Sequence, residues 1–333
     1  MDSDEQNEPM LGLKPAKNRD FAILMIIAVL VIAAFIALTF KLIDQEDTHV
    51  RNVEKVKMAE DFSYDEIGSD DAEKTVTAFV NRTGRRTQAD FSTLNLTDDL
   101  LKKLSTVKEL ERLDVGHTKI TDKSVDYIVG LPLQQLDLSA SPIGDEAMKK
   151  IAKIKTLQKL TITQTAVTDV GIAEVLNLPL LENLTAGNTK ITDRGIAQLS
   201  KSRSINRLDL TSTPITDACL KDLSKLPLKV IYVDATKITG PGITKSLRLP
   251  SLIKASFSRL AIHDQDLPGL LNAIPKVCAI DLSVTPLTDK GVATLATWDQ
   301  LGVLKLKYME HVSDKAIKDF KAKRPRVKFD TSK

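Results

Sequence analysis

The sequence predicts an α/β solenoid, with parallel strands along one side and short helices along the other, preceded by one transmembrane helix. Three observations predict this class. An apolar pattern returns every 23 to 25 residues through most of the 333-residue chain. Twenty consecutive residues near the N-terminus carry no charge. Aromatic residues make up only 4% of the chain, as expected for a core of narrow columns filled by leucine, isoleucine and valine.

The uncharged stretch at residues 21–40 reads FAILMIIAVLVIAAFIALTF. As a helix it is about 30 Å long, the thickness of the hydrocarbon core of a bilayer. Three basic residues lie within seven positions before it, in the tail at residues 1–20, whereas Lys41 alone lies within nine positions after it. Basic residues stay on the cytoplasmic side. We therefore expect a single-pass membrane protein with a cytoplasmic N-terminus and its repeats outside the cytoplasm, in the periplasm or at the cell surface.

Residues 41–85 are predicted to form an acidic stalk that ends in a capping strand. Between positions 42 and 73 there are eleven acidic residues and three basic ones, a balance typical of a solvated segment. An acidic docking segment is the alternative. The stretch TVTAFVN at residues 75–81 alternates polar and apolar side chains as a strand does, and we expect it to cover the first repeat.

The repeats span residues 86–329 in about ten copies of the pattern L-x-x-L-x-L-x-x-T-x-I-T-D-x-G-I-x-x-L, which leaves a short tail at residues 330–333. In the LDL segments at 136–138 and 208–210, apolar and polar residues alternate, which is the period of a strand. One strand and one short helix cannot bury their apolar faces alone, whereas stacked copies can. Because helices are bulkier than strands, the stack should curve with its strands on the concave face.

The helix of each unit is predicted to begin at the aspartate of the pattern. In TDRGIAQL, Asp193 stands where a capping residue belongs, and Ile196 and Leu199 follow at helical spacing. Asp169 and Asp217 take the same place in their units.

This pattern resembles the leucine-rich repeat, and its period and ITDxGI segment resemble the ribonuclease-inhibitor-like and cysteine-containing subtypes. With the membrane segment, the layout resembles that of bacterial cell-envelope leucine-rich-repeat proteins. In those subtypes an asparagine or cysteine at the ninth position bonds to the backbone of a neighbouring coil. Here a hydroxyl ladder takes that place and is interrupted by Leu260 and Met309, where we expect local irregularity. Its members are Thr118, Ser141, Thr165, Thr189, Thr213, Thr236 and Thr285.

The concave face is predicted to bind a protein or glycan partner outside the cytoplasm. Its polar strand residues point away from the core, and interface hot spots favour arginine and tyrosine. The candidate residues are Arg112, Asp114, Asp137, Lys159, Arg207, Asp209, Tyr232, Arg259, Lys305 and Tyr308. Two alternatives stay open: a structural envelope spacer without a dedicated partner, and a cytoplasm-facing adaptor.

The sequence predicts no enzyme, cofactor or metal site. It contains no HExxH, Walker, G-x-S-x-G or dinucleotide-binding motif. The neighbouring carboxylates Asp114 and Asp137 would lie on an open sheet rather than in a pocket. A net charge of +3 does not favour a nucleic-acid partner. Cys219 and Cys278 fall more than two units apart, beyond disulfide reach, and are expected to be free buried thiols.

The C-terminal segment at residues 315–333 carries eight basic residues and two acids. It is interpreted as the solvated end of the last helix. The alternative is an electrostatic contact with anionic lipid, another polyanion or the acidic stalk.

Overall fold

A computed structural model describes residues 71–331. Its eleven short strands form one parallel sheet in which spatial order follows sequence order. The predicted α/β solenoid is therefore confirmed for this part of the chain, with one strand more than the ten predicted units supply. The strands are β1 Gln88–Asp90, β2 Arg112–Asp114, β3 Gln135–Asp137, β4 Lys159–Thr161, β5 Asn183–Thr185, β6 Arg207–Asp209, β7 Val230–Tyr232, β8 Lys254–Ser256, β9 Ala279–Asp281, β10 Val303–Lys305 and β11 Lys328–Asp330.

Short helices connect the strands and pack against the helices of adjacent units. Ile196 and Leu199 are fully buried on the inner side of theirs, as their spacing predicts. Short 3-10 turns at 124–127, 174–177, 217–219 and 264–266 complete or replace helices in some units. The helices are α1 Ala72–Asn81, α2 Asp98–Leu104, α3 Asp145–Ile151, α4 Asp169–Ala173, α5 Asp193–Leu199, α6 Leu220–Leu223, α7 Gly240–Ser246, α8 Leu267–Ala273, α9 Asp289–Leu295 and α10 Asp314–Lys323.

Strand register stacks like residues into columns. The middle residue of each strand from β2 to β6 is a leucine, as in the pairing of Leu136 with Leu160, and these leucines are at most 2% exposed. The residues on either side are half-exposed. These five strands therefore bury their middle side chain and present their first and third residues outward, whereas Val230, Ser256 and Ala279 are buried at the outer positions of β7, β8 and β9.

A single turn conformation follows the strands. One non-glycine residue per unit has a positive φ, for example Asn188 at 53° and Val284 at 56°. The hydroxyl ladder lies just after this turn residue and bonds to buried backbone carbonyls, mostly within its own unit rather than in a neighbouring one. Thr189 donates to the carbonyl of Ala186 in its own unit at 2.7 Å, whereas Ser141 reaches the carbonyl of Val115 in the preceding unit at 3.2 Å.

The two interruptions of the ladder do not disturb this turn. Arg259 and Tyr308, which precede Leu260 and Met309, keep positive φ values of 59° and 53°. The unit of Leu260 is nevertheless irregular farther along, where His263 stands in place of the threonine that begins the helix in other units. Leu260 is 2% exposed and replaces the hydroxyl by apolar contact.

At most junctions an aspartate of one unit is joined to a threonine or serine of the next. Asp169 accepts the Thr192 backbone N–H at 2.7 Å and the Thr192 hydroxyl at 2.6 Å. The same hydroxyl oxygen accepts the Arg194 N–H and caps helix α5. We call this pair of bonds the inter-unit clamp. The clamps are Asp98–Thr121, Asp145–Thr168, Asp169–Thr192, Asp193–Thr216, Asp217–Thr239, Asp264–Thr288 and Asp289–Ser313.

The predicted capping role of Asp193, Asp169 and Asp217 is therefore wrong. Each is the first helical residue, and the threonine before it is the N-cap. Because the aspartate lies one position inside the helix, its carboxylate is available to the neighbouring unit.

The clamp also explains the glycine two positions after the aspartate. A Cβ on Gly195 would lie 2.5 Å from Oδ1 of Asp169, and one on Gly171 would lie 2.4 Å from Oδ1 of Asp145. The carboxylate of the preceding unit occupies the space of the missing side chain. Glycine is not required beside every clamp, because the same position beside three others is held by Ser124, Cys219 and Ala316.

Two junctions are built differently. At one, Gly144 stands in place of the threonine and has no hydroxyl, so Asp122 accepts its backbone N–H, at 2.7 Å. The other lies between the units of Gly240 and His263. Gly240 stands where other units have the clamp aspartate, and His263 stands in place of the next threonine. Asp266 supplies the carboxylate from within the second unit and accepts the His263 backbone N–H at 2.9 Å. A Cβ on Gly240 would lie 2.1 Å from Oδ2 of Asp266, so Asp266 fills the place that the absent aspartate leaves.

The predicted capping strand at residues 75–81 is wrong, because these residues belong to helix α1. Asp71 caps this helix by accepting the N–H groups of Glu73 and Lys74. Val76 and Phe79 are fully buried, and Phe79 meets the ring of Phe91 edge-on at 5.5 Å. Apolar residues of this stretch also fall at helical spacing. A helix, rather than the predicted strand, therefore covers the first unit.

The C-terminal segment is more than the solvated end of a helix. After α10 the chain adds strand β11 to the sheet, and the rings of Phe320 and Phe329 meet at 4.6 Å. Arg324 donates to the carbonyls of Trp298, Asp299 and Leu301 at 2.7 to 3.1 Å. The array is therefore closed at this end by an added strand and a guanidinium group.

Between residues 71 and 331, every helix is too short or too polar to cross a bilayer. The predicted span at residues 21–40 lies outside the described residues, as do the tail at 1–20 and most of the stalk.

Candidate functional site

The candidate site is the outward side of the sheet, which carries the first and third residues of each strand. We call it the strand face. Its first column contains four cations on alternate strands, namely Arg112, Lys159, Arg207 and Lys254, and a fifth, Lys328, on β11. Between the four lie Gln135, Asn183 and Val230. Across β1–β11 this column contains no acidic residue, so one edge of the strand face is uniformly basic or neutral.

The third column is mostly acidic, and its acids support the turns. Asp114 accepts the N–H of Gly116 at 2.9 Å, and Asp137 accepts that of Ser139 at 2.8 Å. Asp209 accepts the N–H of Thr211 at 2.9 Å. Three of the predicted partner-binding residues thus have a structural role, because an aspartate two residues before a turn bonds locally.

Arg207, Tyr232 and Lys254 form a cluster in the middle of the strand face. The Arg207 guanidinium lies 5.2 Å from the centre of the Tyr232 ring and donates to its hydroxyl at 3.2 Å. The Lys254 ammonium lies 5.6 Å from the same ring centre. Burial raises the pKa of Tyr232, opposed by Arg207. The ring therefore lies between two cations and remains a neutral, half-buried platform at physiological pH.

A half-buried carboxylate lies beside this cluster. Asp234 accepts the Ser256 hydroxyl at 2.6 Å and the Ser258 N–H at 2.7 Å. Burial raises its pKa against these two bonds, and the charges of Asp281 and Asp209 raise it further. The carboxylate ties two neighbouring units together at the edge of the cluster.

The predicted site residues do not form one cluster. Arg112, Asp114, Asp137 and Lys159 lie on β2–β4, while Arg207, Asp209 and Tyr232 lie on β6 and β7. Arg259 and Tyr308 occupy the positive-φ turn position, and Lys305 pairs in register with Asp281. Lys254 and Asp234 were missed, although Lys254 could have been found from its column, since it stands one residue before the middle position as Arg207 does.

Neither a metal site nor a reactive thiol is found among the described residues. Across residues 71–331 no three His, Cys, Asp or Glu side chains are arranged to hold a metal ion. Cys219 and Cys278 are free and buried, as predicted. Burial and the neighbouring Asp193 carboxylate raise the pKa of Cys219, and burial raises that of Cys278 to about 11. Both are protonated thiols rather than nucleophiles at neutral pH.

One unit matches a known family model. Residues 132–152, which run from just before β3 to just after the helix Asp145–Ile151, match the model described as Leucine Rich repeat. A search of curated protein sequences finds no match to the chain.

Solved structures with similar chains include three leucine-rich-repeat or internalin proteins. A leucine-rich-repeat protein of Leptospira interrogans is 20% identical, with a TM-score of 0.47, covering 69% of this chain and 62% of that one. An internalin C2 of Listeria monocytogenes is 19% identical, with a TM-score of 0.47, covering 71% and 92%. An internalin (inlF) of the same organism is 16% identical, with a TM-score of 0.48, covering 79% and 94%.

Proposed function

We propose that the chain is a membrane-anchored, non-enzymatic leucine-rich-repeat scaffold that binds a protein partner on its strand face outside the cytoplasm. The strand face carries this proposal, because eleven strands in fixed register hold two columns of polar side chains in a rigid frame. The anchor is residues 21–40, and the repeats are of the ribonuclease-inhibitor-like or cysteine-containing subtype, as their period favours. A glycan is the other ligand class that the polar columns could bind.

The test is site-specific photo-crosslinking in native membranes. A benzoylphenylalanine at position Asn183 places the crosslinker in the first column, and one at Val170, a 59% exposed helical residue, serves as the control outside the strand face. The proposal expects one discrete crosslinked protein from Asn183 and none of that mass from Val170. Equal, diffuse crosslinking from both positions would instead indicate the envelope spacer.

Protease treatment of intact cells tests the compartment. Cleavage of the repeats without permeabilisation is expected when they lie outside the cytoplasmic membrane. Protection in intact cells and cleavage only after lysis would contradict the extracytoplasmic arrangement and favour a cytoplasm-facing adaptor.

A further inference from the structure

The first column of the strand face has a regular period of charge. Arg112, Lys159, Arg207 and Lys254 occupy β2, β4, β6 and β8, so every second strand carries a cation. Neighbouring strands lie about 4.8 Å apart, which sets successive cations about 9.6 Å apart along the sheet. All four side chains are half-exposed. A ligand that uses them together must present anionic groups at the same interval.

Three regular polypeptide forms differ in this interval. Side chains on one face of an extended strand repeat at about 6.8 Å. An α-helix returns to one face after seven residues, or about 10.5 Å, which over three intervals exceeds the cation column by about 3 Å. A polyproline II helix has three residues per turn and repeats at about 9.3 Å, which stays in step with the four cations to within about 1 Å.

The residues between the cations also suit that form. Gln135 and Asn183 carry amides that can both donate and accept hydrogen bonds. A polyproline II backbone makes no internal hydrogen bonds, so its carbonyl groups are available to such side chains. Tyr232 lies between Arg207 and Lys254 and is the one aromatic residue in the first and third columns of β1–β11. Proline rings dock against aromatic side chains of this kind.

The third column limits where the acidic row of the ligand can lie. Asp114, Asp137 and Asp209 are two residues from the first column, about 6.8 Å away, and their Oδ1 atoms already accept turn N–H groups. Their charge repels a ligand that is acidic all round. The acidic side chains must therefore lie along one side of the ligand, over the first column.

We propose that the strand face binds an extended, proline-rich segment of a partner protein with an acidic residue at every third position, aligned across the strands along Arg112, Lys159, Arg207 and Lys254. This inference rests on the proposed function and specifies the partner for the same surface. The regular spacing of its acidic residues defines this ligand. Total charge alone would not distinguish it from a segment whose acidic residues are clustered.

The test compares three labelled 15-residue peptides on the full-length chain in detergent, by fluorescence anisotropy. The first repeats Pro-Glu-Pro, the second has the same composition with its glutamates adjacent, and the third has glutamine for glutamate. We expect the spaced peptide to bind at least tenfold more tightly than either other peptide, with affinity falling as salt rises. Equal affinity of the spaced and clustered peptides would overturn the inference.

Two substitutions locate the contact. Lys159→Gln should weaken binding of the spaced peptide about fivefold, whereas Lys153→Gln, at an exposed lysine outside the strand face, should change it less than twofold. Equal weakening by the two substitutions, with unchanged circular dichroism, would also overturn the inference. Binding of heparin through Lys159 more tightly than binding of the spaced peptide would overturn it as well. If photo-crosslinking finds a partner at Asn183 while the peptides fail, the binding scaffold stands and only its ligand class is wrong.

Discussion

The Asp98 carboxylate accepts both the backbone N–H and the hydroxyl of Thr121, each at 2.7 Å. This inter-unit clamp recurs along the described array with a spacing of 22 to 24 residues. It places an ionised group at the start of one helix and uses it to fix the start of the next. Hydrogen bonds to charged groups contribute more than neutral ones, about 1.5–3 kcal/mol each.

Loss of one clamp should destabilise the array. We expect Asp98→Ala to lower the free energy of unfolding by about 2–3 kcal/mol, because the Thr121 donors lose their charged acceptor. Asp99→Ala, at the next and exposed position, should change it by less than about 0.5 kcal/mol. Urea denaturation followed by far-UV circular dichroism measures both, and similar losses for the two variants would contradict a specific role of the clamp.

A methyl group in the space beside a clamp carboxylate should also be costly. A Cβ on Gly195 would lie 2.5 Å from Asp169 Oδ1 and 3.0 Å from side-chain carbons of Ile172 and Ile191. Gly195→Ala should therefore cost about 1–3 kcal/mol. Gly130→Ala is the control, since nothing lies within 4 Å of its Cβ position. Thermal denaturation should separate the two variants, and a stable Gly195→Ala protein would show that the carboxylate can move at little cost.

The irregular junction at Gly240 can be converted to a regular clamp. Gly240→Asp alone should destabilise the chain by about 2 kcal/mol or more, because the new side chain would overlap the Asp266 carboxylate and repel its charge. The triple variant Gly240→Asp, His263→Thr, Asp266→Gly restores the D, T and G positions of a clamp. Its free energy of unfolding should equal or exceed that of the wild type. A triple variant less stable than Gly240→Asp would mean that Asp266 does not substitute for the clamp.

Asp234 should give a pH-dependent stability effect. Since burial raises its pKa in the folded chain, the ionised carboxylate costs stability above that pKa, and the cost disappears below the unfolded value of about 3.9. Asp234→Asn keeps a carbonyl acceptor for Ser256 and Ser258 and removes the charge. We expect it to stabilise the chain at pH 7 by up to about 1 kcal/mol after solvent screening. This gain should shrink as the pH falls toward 4, and a gain that grows on acidification would contradict the argument.

The positive-φ turn supplies one more test. Val284 is β-branched and holds a φ of 56°, a region that asparagine tolerates better. Val284→Asn should raise the free energy of unfolding by about 1 kcal/mol. The exposed helical Val170 is the control: Val170→Asn should give no gain. Equal stabilisation by both would attribute the effect to the loss of exposed apolar surface instead.

The sequence predicted the columns because they depend on spacing within one unit. The buried column is predicted by the leucines of the repeat, such as Leu136, Leu160 and Leu184, and the strand face by the residues beside them. The partners of the clamp could not be predicted in this way. Asp193 has the spacing of a helix cap, and only the stacking of units reveals that its carboxylate bonds to Thr216.

The ends of the array were predicted less well for a similar reason. TVTAFVN satisfies both strand and helix periods, and burial against Phe91 selects the helix. The segment Lys328–Asp330 lacks the leucines of the repeat, so its pairing with β10 depends on tertiary contact. In the site, Asp114 and Asp137 accept hydrogen bonds from the turns that follow them, and these bonds compete with a role in partner binding. The residue pattern alone does not show this competition.

The clamp has a consequence for changes in the length of the chain. A regular unit contributes an aspartate forward and a threonine backward, so removing one such unit, for example residues 181–204, would bring Asp169 opposite Thr216. The junction formed would be chemically the same as the one lost. Deletion or duplication of whole units therefore creates no new kind of interface, except next to Gly144 and Gly240. The number of units, and with it the reach of the molecule, can change by recombination without redesign of the core.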